Sequence, residues 1–282
     1  THRPDTLAKQ LLLKDNLFWK EVRGIQGKSS TVPANTVEGV NGGEAICEMW
    51  RNHFYGLLNS SSDYSKKQDV LHHLDNITSQ NSIDRISPEE IQKAIKLLKK
   101  GKSCGHDGLS SEHLIYGGDQ KISCILAMLF NAMIIHAYLP DDFMFTLIIP
   151  LLKDKKGDIT SKDNYRPIAI TSILSKVMEL ILLSRYKDLL CTNDNQFGYK
   201  DELGSDMCIF TFKEIVNYYR FYSSNVYVCF IDASKAFDRV NHWHLFSKLI
   251  KRGIPLFIVR LLSCWYRTRV FAVKWSNHIS SS

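Results

Sequence analysis

The chain has 282 residues, of which 44% are hydrophobic, so it can bury one large or two ordinary cores, and wholesale disorder is excluded. Its 36 lysines and arginines exceed its 29 aspartates and glutamates, a net charge of +7 that hints weakly at a polyanionic partner. The excess lies toward the C-terminus, because residues 239–282 hold eight basic residues and no acidic one.

The cysteines and the apolar runs narrow the class of protein further. The seven cysteines are odd in number, lie at least 17 residues apart and mostly sit in apolar runs. This pattern excludes a CxxC zinc ribbon and predicts reduced, buried thiols in an intracellular protein, nuclear or cytoplasmic. No signal peptide is indicated, since residues 1–20 are charged throughout, and no apolar run is long enough to cross a bilayer. The first residue is Thr1 rather than Met, which is compatible with a fragment.

Periodicity and capping signals predict the elements in chain order. Residues 87–90 form a capping box with proline at the first helical position, and apolar residues follow at helical spacing to Leu98. The predicted elements are an amphipathic helix at 7–22, a linker or surface loop at 24–43, helices at 44–58 and 88–98, an apolar helix at 121–138, a strand at 145–152, a helix at 172–190 and a strand at 226–231. Helices alternating with short strands predict an α/β or α+β fold.

The segment 226–242 carries the most chemical information. Its first six residues are apolar and rich in β-branched and aromatic types, which predicts a fully buried strand with Asp232 at its end. A carboxylate held there by a rigid element suits a metal ligand, but a side chain that merely caps the next helix is about equally supported. Phe237 and Asp238 need no function on spacing alone.

At this point the residues resemble a known family. FIDASKAFDRV (230–240) looks like a motif of the reverse transcriptases of non-LTR (LINE-type) retrotransposons. Four further segments resemble that family in the same order, and the resemblance covers residues 88–278. They are KGKSCGHDGLSSEHL at 100–114, the lysine and N-Y-R-P-I segment within 147–182, QFGYKDELGSDMCIF at 196–210, and the helix and hairpin at 253–275.

The resemblance implies an α+β right-hand polymerase. Fingers would span about 88–210 and the start of a palm about 211–282, preceded by a helical linker region at 1–87. It implies an RNA-directed DNA polymerase with an RNA template, a DNA primer and deoxynucleoside triphosphates as partners. Two Mg²⁺ ions held by carboxylates would perform nucleotidyl transfer in the complete enzyme.

The resemblance also implies roles for single residues. Asp232 would be a catalytic carboxylate and the first metal ligand, and the backbone carbonyl of Ala233 a second metal contact. Lys153 and Arg166 match finger cations that meet the incoming triphosphate, and Phe237 matches the aromatic residue that packs under the sugar and disfavours a 2′-hydroxyl. From the residues alone, Arg166 reads as a loop ion pair and Lys153 as a solvated charge.

The chain departs from the family pattern at three places. Cys104 and His106 stand where prolines are usual, and DELGSD at 201–206 leaves Lys200 as the one cation in a stretch that normally helps to hold template. No adjacent pair of aspartates follows Asp232, so the Y/F-x-D-D strand is missing from this sequence. We therefore expect the catalytic site to be incomplete and the chain to be inactive as a polymerase by itself.

The acid-free stretch 239–282 interleaves cations with aromatic residues, a pattern that favours nucleic-acid binding over a basic face on an aromatic core. The predicted contacts are Lys200, Arg260, Arg267, Arg269 and Lys274. The pair His242 and His244 lacks a nearby third ligand, so a zinc site is not predicted. Two alternatives to the polymerase remain: a non-catalytic nucleic-acid-binding remnant and an unexpressed or unstable gene fragment.

Overall fold

The computed structural model describes residues 34–59, 63–77 and 83–281, which form a mixed helix and strand fold. The helix predicted at 7–22 lies outside the described residues. The helices are α1 (Gly43–Leu58), α2 (Tyr64–Asp75), α3 (Pro88–Lys96), α4 (Ser111–Gly117), α5 (Gln120–His136), α6 (Asp141–Met144), α7 (Ile173–Arg185), α8 (Ser205–Phe221), α9 (His242–Lys251) and α10 (Leu256–Thr268). The strands are β1 (Thr36–Val37), β2 (Val40–Asn41), β3 (Thr146–Leu152), β4 (Tyr165–Thr171), β5 (Phe271–Trp275) and β6 (His278–Ile279).

Four strands form one sheet in the order β4-β3-β5-β6. β3 pairs with β4 antiparallel, as a hairpin, and with β5 parallel, although β5 lies more than 100 residues later in the chain. The strand predicted at 145–152 is thus confirmed, and it occupies an inner position of the sheet. Helix α1 covers the sheet with Trp50 and Phe54, which pack with Tyr165, Val273 and Trp275 in one buried cluster.

The larger core is helical. Buried side chains from α3, α5, α7 and α10 meet there, with Ile91, Phe130, Met178 and Leu261 almost fully covered. The periodic apolar positions in these helices are the reason they pack, because each helix presents one apolar stripe to the others. The predicted capping box at Ser87 and Glu90 is confirmed, with both reciprocal hydrogen bonds present.

Arg185 at the end of α7 ties the helical core together. Its guanidinium donates two hydrogen bonds to the Glu90 carboxylate, at 2.6 and 2.7 Å, and two more to the carbonyls of Asp84 and Arg85. Glu90 is also the capping-box residue of α3, so one carboxylate joins the start of α3 to the end of α7. The bidentate geometry is of the kind that makes arginine–carboxylate pairs strong.

The strand predicted at 226–231 is wrong. The segment is irregular, and Tyr227, Phe230 and Ile231 are 91%, 85% and 94% exposed. A strand needs neighbours for its backbone N–H and C=O groups, and none of the described strands lies beside this segment. The preceding helix α8 has no buried residue either, so strand propensity here meets neither a partner strand nor a core.

Smaller differences have local causes. The predicted linker contains the β1–β2 hairpin, which turns at Glu38 and Gly39, both with positive φ. The helix predicted at 172–190 ends at Arg185 and is followed by a short 3-10 turn. All seven cysteines are free, as predicted, but only Cys47 is buried and four are exposed. Within the described ranges, no helix has both the length and the apolar character to cross a membrane.

Candidate nucleotide and nucleic-acid site

The β3–β4 hairpin presents the two predicted triphosphate-binding cations. Arg166 lies opposite Leu151 in the hairpin register, and Lys153 follows the last residue of β3. Because side chains alternate along a strand, Tyr165 enters the core beside Trp50 while the neighbouring Arg166 faces outward and is exposed. Among the described residues, the Arg166 guanidinium has no hydrogen-bond or ion-pair partner, so it is available to an anion.

Lys153 is exposed, but its ammonium and its backbone N–H are both hydrogen-bonded. Its ammonium donates a hydrogen bond of 2.5 Å to the backbone carbonyl of Asp163, across the turn that joins the two strands. Its backbone N–H donates to the carbonyl of Asn164 at 2.8 Å. From the residues alone Lys153 reads as a solvated charge, whereas the structure gives this lysine a defined position directly after β3, at the start of the loop 153–164, which we call the hairpin tip.

The Asp232 segment lies next to the same hairpin tip. Lys235 has a positive φ of 53°, and its ammonium is 3.7 Å from the Asp163 carboxylate. The rings of Phe237 and Tyr199 form a T-shaped pair, with centroids 5.5 Å apart. The contact of Lys235 with Asp163 brings the turn after Asp232 to the hairpin that carries Lys153. Neither Lys235 nor Asp163 was singled out from the sequence, since a lone Lys and Asp give no signal of a long-range pair.

The residues predicted to hold metal do not complete a metal centre. Asp232 is exposed at the start of an irregular turn, and the carbonyl of Ala233 adds one more oxygen. Within the described ranges, no three His, Cys, Asp or Glu residues are arranged to hold a metal ion. Oxygen donors suit Mg²⁺, but one carboxylate and one carbonyl are too few for a two-ion site.

Charges of both signs surround His53 beside the hairpin tip. The pKa of His53 on α1 is lowered, first by burial and then by the nearby charges of Lys235 and Lys162, with Asp163 and Glu38 opposing them. Glu38 also accepts a hydrogen bond from the backbone N–H of Lys162 at 2.9 Å, which fastens the β1–β2 hairpin to this turn. His53 was not predicted as part of the site, because it is distant in sequence.

The predicted nucleic-acid contacts divide into free and engaged cations. Arg260 donates to the carbonyl of Ile135, Arg269 donates to Thr146, and Lys200 donates to the carbonyl of Asn193 and lies 3.8 Å from Asp194. Lys274 is exposed on β5. A basic face over an aromatic core, the alternative that involves no nucleic acid, therefore accounts for part of the stretch 239–282.

Arg267 makes a different kind of contact. Its guanidinium lies over the Trp243 ring, 5.9 Å from the centroid, and the ammonium of Lys67 lies 5.8 Å from the same centroid. The two histidines beside Trp243 contact other residues. His244 is 2.8 Å from the Asp63 carboxylate, and the His242 ring contacts Tyr266. This is a cationic and aromatic surface formed by α2, α9 and α10.

Comparison with known proteins agrees with the resemblance. Residues 153–280 match the family described as reverse transcriptase (RNA-dependent DNA polymerase). The chain is 30% identical over 204 residues to the probable RNA-directed DNA polymerase from transposon BS of Drosophila melanogaster, covering 70% of this chain and 22% of that protein. It is 28% identical over 208 residues to the RNA-directed DNA polymerase from mobile element jockey of Drosophila melanogaster, covering 71% and 22%.

A third relative comes from another element and another organism. The retrovirus-related Pol polyprotein from type-1 retrotransposable element R2 of Popillia japonica is 30% identical over 169 residues, which cover 60% of this chain and 22% of that protein. The matches thus span about a fifth of the length of these curated relatives. Reverse transcriptases act on nucleic-acid templates and nucleotides and generally use divalent metal ions. Residues 153–280 thus match the reverse transcriptase family, and the chain is similar to RNA-directed DNA polymerases of non-LTR retrotransposons, as its motifs predicted.

Proposed function

We propose that the chain is a polymerase segment of a retroelement RNA-directed DNA polymerase, with fingers at about 88–210, the start of a palm at about 211–282 and a helical linker region at 1–87. Its partners are an RNA template, a DNA primer and deoxynucleoside triphosphates. The observation that carries the proposal is the hairpin tip, where Lys153 and the outward-facing Arg166 lie beside the turn that follows Asp232.

The hairpin cations bind the triphosphate of the incoming nucleotide. Arg166 offers a planar fork of donors that matches phosphate oxygens, and Lys153 adds a compact point charge. Phe237, packed on Tyr199, is the aromatic residue that contacts the sugar. Asp232, with the Ala233 carbonyl, contributes oxygen ligands for Mg²⁺, but one carboxylate cannot hold two ions. The chain by itself therefore binds nucleotide without extending a primer.

Nucleotide titrations test this proposal. We expect Lys153→Ala and Arg166→Ala each to weaken binding of a deoxynucleoside triphosphate about tenfold or more, since each removes a charge-assisted contact. Lys121→Ala, an exposed lysine on α5, is the matched control and should bind as the unaltered chain does. Unchanged affinity in both hairpin variants would contradict the proposal. Primer extension that requires Mg²⁺ and disappears in Asp232→Asn would overturn the expected inactivity.

A second candidate is a non-catalytic nucleic-acid-binding module, favoured by the cationic and aromatic surface around Trp243. Arg267 and Lys67 lie over that ring, and the two cations suit neutralisation of a nucleic-acid backbone. This function predicts salt-dependent binding of a primer–template that weakens in Arg267→Glu and is indifferent to Asp232→Asn. An absence of binding at low salt would exclude it.

A further inference from the structure

The side chain of Asn164 is hydrogen-bonded at each of its polar positions inside the hairpin turn. Its amide oxygen accepts from the backbone N–H of Asp154 at 3.0 Å. Its amide nitrogen donates to the carbonyl of Asp154 at 2.8 Å and to the carbonyl of Asp158 at 3.1 Å. One primary amide therefore spans the turn and fixes it at two points.

The backbone of Asn164 extends the same network to the lysine. Its carbonyl accepts the N–H of Lys153 at 2.8 Å, and the neighbouring carbonyl of Asp163 accepts the Lys153 ammonium. Asn164 thus bonds to Lys153 across the turn and directly precedes β4, the strand that carries Arg166. Loss of its amide would release residues 154–158, which follow Lys153 immediately.

The fit around the amide is close. A Cβ atom built on Gly157 would lie 2.9 Å from the Asn164 amide nitrogen. Moving that nitrogen away would break its bonds to two carbonyls, so glycine is needed at this position for the turn to close on Asn164. An aspartate at 164 would keep the acceptor but lose both donors and place its charge against two carbonyl oxygens.

We propose that Asn164 is a positioning residue for nucleotide binding, which holds Lys153 where its ammonium meets the triphosphate. The inference rests on the proposed function. Asn164 touches no phosphate itself in this arrangement. It lowers the cost of ordering Lys153 when the nucleotide arrives, because the turn is already fixed.

A double-mutant cycle with a deoxynucleoside triphosphate tests the inference. We expect Asn164→Ala to weaken binding about fivefold to tenfold, and to weaken it no further in the background of Lys153→Ala. Asn164→Asp should weaken binding at least as much as Asn164→Ala, because it loses both donors and places a charge against two carbonyl oxygens, and Gly157→Ala should reproduce part of the loss. Asn277→Ala, an exposed asparagine at the β5–β6 turn, is the matched control. Amide exchange of residues 153–158 reports loosening of the turn independently of nucleotide.

The outcomes separate the inference from the function it rests on. If Lys153→Ala and Arg166→Ala leave the affinity unchanged, the proposed function fails and the inference fails with it. If Lys153→Ala weakens binding while Asn164→Ala speeds amide exchange without changing affinity, Asn164 is only structural and the inference alone is overturned. An Asn164→Ala effect that adds fully to that of Lys153→Ala also overturns it, because Asn164 would then act without Lys153.

Discussion

The β3–β4 hairpin and the segment 205–240 are both apolar and aromatic in sequence, yet only the hairpin belongs to a sheet and contributes buried residues. β3 has a neighbour on each side, and α1 covers one face of the sheet. The segment 205–240 contributes no buried residue and no strand in the described structure. Strand propensity is therefore realised only where backbone partners and a covering layer are both present, and apolar composition alone does not distinguish the two cases.

The largest difference between the regions should appear in stability. Trp50→Ala removes a fully buried ring that stacks on Phe54 and contacts Tyr165, and we expect a loss of about 3–5 kcal/mol in the free energy of unfolding. The indole N–H of Trp50 is buried without a described partner, so Trp50→Phe should cost much less than Trp50→Ala. Urea denaturation measures both. Similar losses for Phe and Ala would contradict this account.

Loss of the two hydrogen bonds from Arg185 to Glu90, the Arg185 clamp, should have the next largest effect on the free energy of unfolding. Arg185→Met leaves the part-buried Glu90 without its bidentate partner, at an expected cost of about 2 kcal/mol after allowance for solvent exposure. The pKa of Glu90 is lowered chiefly by its hydrogen bonds with Arg185. A lowered carboxyl pKa contributes stability above the unfolded value, which is lost as the pH falls through the folded one.

The unaltered chain should therefore lose stability on acidification over that carboxyl range more steeply than Arg185→Met. Denaturation midpoints compared at neutral and acidic pH measure the difference. Lys176→Met, which removes an exposed ion pair with Glu179, is the matched control and should change little. Parallel pH profiles for the unaltered chain and Arg185→Met would show that Glu90 is not stabilised by the clamp.

Substitution in the exposed segment should leave stability almost unchanged. Phe230 and Ile231 are largely exposed, so Phe230→Ser and Ile231→Ser should shift the free energy of unfolding by less than about 0.5 kcal/mol. Both variants should remain in solution at higher concentration, since they reduce an exposed apolar patch. Light scattering against concentration measures the second effect. A large loss of stability would indicate that the segment is buried after all.

The sequence predicted elements whose signal is local and missed those that depend on distant partners. The capping box at Ser87 and the apolar stripes of α5 and α7 identify helices without further context. The pairing of β3 with β5 and the contact of Lys235 with Asp163 join residues far apart in the chain. The local sequence around these residues carries no signal of either contact. The predicted strand at 226–231 failed for the same reason, because its outcome depends on neighbours rather than on its own residues.

The contact between the β3–β4 hairpin and the segment 205–240 can be tested through the pKa of His53. This is the smallest and most specific of the expected effects. Lys235 is the largest of the nearby charges that lower the pKa of this imidazole. Lys235→Ala should therefore raise the pKa of His53, whereas Asp163→Ala should lower it further, because Asp163 acts in the opposite sense. NMR titration of the His53 ring measures both shifts, with Lys251→Ala as a distant control on α9. Since the two variants have opposite signs, general loosening cannot mimic the pattern. An unmoved titration in Lys235→Ala would separate the turn after Asp232 from the hairpin tip and remove the geometric support for the nucleotide site.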